Sequence, residues 1–209
     1  MKNFWLLSAA TILSCGTGAP EIPPELIPSG GGGAPADLYP PGPYGTNEGD
    51  TLRDLEFEGY PTPDSEQKLE LIRLGDFYDP QGDKGYQLLL LNTAAAWCQP
   101  CRIEHADLPN RLEEYGPQGL VAFSLLYQNN NGEPPDETTL KTWTDSFGIN
   151  FPMALDPSYQ MGLYGPAETP PLNLIVDPRD MRLLKRFIGN QEGPMWAFIE
   201  AELAARQED

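Results

Sequence analysis

The spacing of apolar and polar positions changes several times along this 209-residue chain. Asp54–Glu58 alternates acidic and apolar residues, as a half-buried strand does, and Lys68–Ile72 predicts another strand. Tyr86–Asn92 and Gly119–Leu126 are continuous apolar runs, the pattern of strands covered on both faces. Between them, Pro100–Tyr115 predicts a helix with Ile103, Leu108 and Leu112 as its apolar positions. Asp136 predicts the cap of a second helix reaching about Phe147, with Leu140, Trp143 and Phe147 at three-to-four spacing. Phe151–Leu155 reads as a short strand and Ser158–Tyr164 as a short helix. Leu172–Val176 and Met181–Ile188 form a hairpin-like pair around Asp177-Pro-Arg-Asp180, and Gln191–Ala205 a final helix. Strands alternating with helices, then a hairpin and a helix, predict an α/β sandwich with a mixed sheet.

The first 48 residues follow different rules. Met1-Lys2-Asn3 is a short basic start, and Phe4–Leu13 is an apolar stretch too short to span a bilayer but suited to the core of a signal peptide. It ends at Ile12-Leu-Ser-Cys15, which resembles the bacterial lipobox, with Leu13 a mild departure from the common pattern. That resemblance implies cleavage before Cys15 and a lipid on its sulfur; an ordinary secretory signal with a stray thiol is the plainer alternative. Residues 16–47 hold 8 Gly and 8 Pro, too few apolar groups to offset the entropy of ordering. The expected organisation is a signal peptide over 1–14, a tether over 15–48 and one folded domain over 49–209, with Tyr39–Tyr44 a candidate for packing on the domain edge.

Charge and composition narrow the chemistry. With 13 Lys+Arg against 31 Asp+Glu, the formal net charge is -18, so phosphate backbones are repelled and nucleic acid is not an expected partner. Three cysteines and one histidine cannot make two zinc sites, and no metal or other cofactor is expected.

The reactive candidate is Trp97-Cys98-Gln99-Pro100-Cys101, between an apolar strand and a helix. Unpaired N–H groups and the dipole at a helix N-terminus stabilise an anion, which lowers a thiol's pKa and makes its sulfur nucleophilic. Cys98 lies at the helix mouth, where it can face solvent. Cys101 lies one turn in, on the same side, where it can displace a partner captured by Cys98. Pro100 suits the first helical turn. A zinc half-site lacks a second pair, haem attachment would need His where Arg102 stands, and a structural disulfide closing so small a loop removes little unfolded-state entropy.

Leu89–Glu104 (LLLNTAAAWCQPCRIE) resembles the membrane-tethered, thioredoxin-fold thiol–disulfide oxidoreductases of the TlpA/ResA type, which overlap the broader redoxin (AhpC/TSA) group. Ile149–Asp156, Tyr164-Gly165 and Pro171–Asp177 follow in the same order, so the likeness covers roughly residues 50–205. It implies a thioredoxin-like three-layer sandwich, a mixed central sheet flanked by helices. It also implies a monomer at an extracytoplasmic bacterial membrane face that exchanges dithiol and disulfide with protein or small thiols and with a redox partner, most often as a reductase. Cys98 would attack and Cys101 resolve. Trp97, Pro170 and Pro171 would line the substrate, with Pro171 at the position of a cis proline. Pro170 departs from the pattern because it has no N–H to offer a substrate backbone. Glu104 would tune the cysteines or move a proton, unless it is a solvated helix-face acid. Asn92 stands where thioredoxins proper carry a buried aspartate. His105 is expected on the helix surface, pointing away from Cys98. Two other readings compete: a thioredoxin-fold peroxidase, disfavoured because Ala95 stands three residues before Cys98 where peroxiredoxins carry Thr, and a non-catalytic or metal-handling lipoprotein, disfavoured because only His105 lies close to the thiols.

Overall fold

A computed structural model describes residues 39–62 and 68–207. Cys15, the signal peptide and most of the tether lie outside the described residues. The apolar runs become the centre of a seven-stranded sheet in the order β2-β1-β5-β4-β3-β6-β7. The strands are β1 Glu56–Tyr60, β2 Glu70–Arg73, β3 Leu88–Ala95, β4 Leu120–Gln128, β5 Met153–Leu155, β6 Leu172–Asp177 and β7 Arg182–Ile188. β3, β4 and β5 run parallel, β6 lies antiparallel to β3, and β7 closes the hairpin with β6. On the other side β1 pairs antiparallel with β5 and β2, so the sheet is mixed. Gly59 of β1 sits against Met153 and Ala154 of β5, where a Cβ would collide with the Met153 carbonyl. Glycine is required there by the close approach of two backbones.

The helices are α1 Gln99–Tyr115, α2 Glu137–Phe147 and α3 Glu192–Gln207. α1 connects β3 to β4 and α2 connects β4 to β5, two successive crossovers in the same direction along the sheet. Right-handed connections then put both helices on one face. Leu108 of α1, Leu140 and Trp143 of α2, and Met195, Trp196, Ile199 and Leu203 of α3 accordingly share one core with Leu88, Leu90, Ala122 and Ile175. The alternate strand residues Leu89, Leu91, Phe123, Leu125, Leu174 and Val176 build a second core on the opposite face. Its cover consists of Leu52 and Leu55, the 3-10 turns Leu74–Phe77 and Gln160–Leu163, and the ring of Tyr164. The layer expected as helical on that side is therefore made of single turns and irregular chain.

Every element predicted from the pattern is present, with ends shifted by a few residues. Asp136 caps α2 by accepting from Thr139 N at 2.8 Å, and Gly148 ends it in the left-handed region at φ 58. Residues 39–48, assigned to the tether, lie against the domain. Tyr39 donates to the Leu52 carbonyl at 3.0 Å and packs on Tyr78, and Glu48 pairs with Lys185 at 3.0 Å.

Candidate active site

β3 ends at Ala95, and the chain turns into α1 within four residues. Cys98 is the N-cap: its backbone is extended, and its sulfur accepts from Cys101 N at 3.1 Å. Pro100 falls in the first turn, where a missing N–H leaves nothing unpaired. Cys98 and Cys101 are joined as a disulfide, with Cα atoms 5.3 Å apart. The nucleophile expected to face solvent is only 2% exposed, and Cys101 is fully buried. Trp97 and Gln99 are the exposed residues of the motif, Trp97 at 43%, and its Nε1 donates to Gln128 Oε1 at the end of β4. Beside it opens a polar pocket lined by Ala96, Arg102, Asn129, Thr142 and Trp143. The Arg102 guanidinium lies over the Trp143 and Phe147 rings and donates to the Ala96 carbonyl at 3.1 Å.

The inward face of α1 differs from the expected one. Ile103 is exposed, and the face toward the sheet carries Cys101, Glu104, His105 and Leu108. Glu104 is therefore no solvated helix-face acid. His105, expected on the surface, is fully buried. Both meet a polar row that crosses three apolar strands: Ser124 on β4, Asn92 on β3 and Asn173 on β6 are register partners. Asn173 Nδ2 lies 2.7 Å from Glu104 Oε1, and Asn92 Nδ2 lies 3.3 Å from Glu104 Oε2 and 2.7 Å from Asn173 Oδ1. Ser124 Oγ is 2.7 Å from Asn92 Oδ1 and 2.7 Å from His105 Nε2. His105 Nδ1 closes the chain 2.9 Å from the Cys101 carbonyl oxygen.

Burial dominates the titration of both ends. Loss of hydration pushes the Glu104 carboxyl up to about 8, with Glu192 adding to the shift against the two amides. Loss of hydration pushes His105 down to about 4, against the Cys101 carbonyl, which favours its protonated form. Burial thus favours the neutral form of both groups.

Pro170 and Pro171 are joined by a cis peptide bond, as the resemblance implied, and immediately precede β6. The Pro171 carbonyl accepts from Gly189 N at 2.8 Å, and two residues on, Asn173 reaches Glu104. Sequence reasoning missed Asn173 and Ser124. The available signal was one polar residue inside each of three apolar runs: Asn92 in LLLLN, Ser124 in VAFSLL and Asn173 in LNLIV. Among the described residues, no cluster of His, Cys, Asp and Glu has the arrangement of a metal site, and no helix is long and apolar enough to cross a membrane.

A strand that feeds a dithiol at a helix N-terminus, with a proline-led strand beside it, defines a protein of the thioredoxin-like class. The chain belongs to the AhpC/TSA family, whose model matches residues 50–179. It is 26% identical over 99 residues to the thioredoxin-like protein YneN of Bacillus subtilis, covering 47% of this chain and 54% of that one. It is 29% identical over 73 residues to the thiol-disulfide oxidoreductase ResA of the same organism, covering 35% and 37%. The match thus spans about half, or less, of each of these relatives. A DsbF homologue from Corynebacterium diphtheriae superposes with a TM-score of 0.52 at 20% identity, over 76% of this chain and 90% of that one, which shows the shared fold.

Proposed function

We propose that the protein is an exported, membrane-tethered thiol–disulfide oxidoreductase that reduces disulfides of protein or small-molecule partners. The observation that carries this reading is the Cys98–Cys101 disulfide at the mouth of α1, with a buried carboxyl one turn beyond it. In the reduced protein the Cys101 N–H and the helix start would hold Cys98 as a thiolate. That thiolate attacks a substrate disulfide, forms a mixed disulfide and expels one substrate thiolate. Cys101 then gives its proton to the Glu104 carboxylate, attacks the Cys98 sulfur and expels the second substrate thiolate. Two electrons pass to the substrate, and the Cys98–Cys101 bond forms. A donor thiol runs the sequence backwards: it attacks Cys98, and Cys101 leaves as a thiolate that takes the Glu104 proton.

Trp97 and the Pro170-Pro171 turn serve as the walls for the substrate chain, and Pro170 provides one backbone donor fewer than an ordinary residue there would. In an insulin-reduction assay driven by a chemical dithiol, the intact protein accelerates precipitation. Cys98→Ser loses that activity entirely, and Cys101→Ser accumulates a mixed disulfide on Cys98. Full activity of Cys98→Ser refutes the mechanism. The tether reading rests on the Cys15 motif; intact-mass analysis of membrane-extracted protein should find an acylated N-terminal cysteine, and an unprocessed Met1 would exclude it.

A further inference from the structure

The chain from Glu104 to His105 has a terminus whose role is fixed by chemistry. The Cys101 carbonyl can only accept, so His105 Nδ1 donates to it. Everything else depends on the direction in which the remaining protons point. A carboxamide presents a donor and an acceptor at nearly the same places after a half-turn, so a second direction satisfies the same heavy-atom positions at the cost of one bond, the 3.3 Å contact of Asn92 with Glu104 Oε2, which becomes oxygen against oxygen. In one direction Asn173 and Asn92 donate to Glu104, and Ser124 donates to Asn92. His105 Nε2 must then donate to Ser124, which makes an imidazolium at one end and a carboxylate at the other. In the reverse direction Ser124 donates to a neutral His105 Nε2, Asn92 donates to Ser124 and Asn173 donates to Asn92. The Asn173 oxygen then faces Glu104 Oε1 at 2.7 Å and needs a proton from it.

A neutral imidazole at one end therefore requires a protonated carboxyl at the other. Two facts favour that direction. Glu104 is 3% exposed and His105 is fully buried, so two separated charges would lack hydration. The flanking charges agree. Glu192 of α3 opposes a Glu104 carboxylate, and Arg102 of α1 stacks on Trp143 and Phe147, the rings that His105 packs against. The hydrogen-bonding contacts from β3, β4 and β6 come from the uncharged Asn92, Ser124 and Asn173.

We propose that His105 is a positioning residue: through Ser124, Asn92 and Asn173 it fixes the donor direction of the buried chain and keeps Glu104 in its carboxylic acid form while the cysteines are bonded. The inference rests on the reading of Glu104 as the proton donor to Cys101, and it explains how that proton is in place when Cys101 leaves.

The test is a carbon-13 NMR titration of the Glu104 carboxyl in the full-length oxidised protein, assigned with Glu104→Gln. In the unmodified chain burial raises the carboxyl's midpoint above the ordinary carboxyl range. His105→Leu removes the acceptor at the end, frees the Ser124 proton for Asn92 and lets both amides donate to Glu104. The midpoint should fall by about one pH unit or more, since donors to the charged form favour it. Ser124→Ala should give the same fall, and the double variant no more than either alone. His105→Gln, with one acceptor and one donor, should restore the original midpoint, which a space-filling role for His105 would not require. An unchanged midpoint in Ser124→Ala overturns the proposal even if His105→Leu fails to fold. The titration needs no turnover, so loss of thiol exchange in Cys98→Ser leaves it readable and the two readings fail separately.

Discussion

Asn92 sits fully buried between Ser124 and Asn173, and through it a carboxyl and an imidazole on adjacent positions of α1 become parts of one buried unit. The titrations of the two ends work against each other in stability. Glu104 is raised from 4.5 to about 8, so its contribution is full below pH 4.5 and is lost as pH rises through 8. His105 is lowered from 6.5 to about 4, so its contribution is full above pH 6.5 and is lost as pH falls through 4. Between 4.5 and 6.5 the two slopes cancel; between 6.5 and 8 only the Glu104 slope remains. Denaturant unfolding of the oxidised protein should therefore show stability falling by a few kcal/mol at most from pH 6.5 to 8. Glu104→Gln should abolish that fall; a slope unchanged in Glu104→Gln assigns it to other groups. At this scale the sequence was only partly legible. Glu104 stood out by its place after Cys101. His105 was misread because the helix face was drawn through Ile103, Leu108 and Leu112, whereas the inward face runs through 101, 104, 105, 108 and 115. An apolar periodicity cannot reveal a face that buries polar side chains against a polar row on the sheet.

One element carries nearly the whole site. Within two turns α1 presents the capping sulfur, the resolving sulfur, the carboxyl and the imidazole, and β3 and β6 hold the amides that receive them. This economy follows from the topology. A parallel β3–α1–β4 crossover lays the first turns of α1 across the strand ends, where backbone N–H groups are free and side chains from three strands converge. The elements themselves were legible because each obeys a simple period: continuous apolar runs for strands buried on both faces, and Asp136 with Thr139 for the start of α2. The cover of the second core was not. The 3-10 turns Leu74–Phe77 and Gln160–Leu163 are too short to show a period, whereas the packing of Tyr39 on Tyr78 agrees with the expected packing of the Tyr39–Tyr44 stretch on the domain edge.

The molecule as a whole carries a formal charge of -18, yet the charged side chain that lines the pocket beside Ala96 is a cation, Arg102. Net charge and local charge thus make opposite demands on a small disulfide approaching Trp97. The long-range field of the whole chain favours cations, and it is screened over about 10 Å at 0.1 M salt. The contact with Arg102 favours anions and is less sensitive to salt, because the guanidinium lies stacked on two rings. If the net charge governs encounter, the rate of reaction of the reduced protein with cationic cystamine should exceed that with anionic oxidised glutathione by roughly tenfold at low ionic strength, and the ratio should fall toward one as salt is added. Stopped-flow tryptophan fluorescence reads both rates, since Trp97 lies beside Cys98. A ratio independent of salt would mean that Arg102 and its pocket, and not the acidic surface, select the substrate. Arg102→Gln would then raise the cystamine preference at every salt concentration, whereas under the net-charge account it leaves the salt slope unchanged.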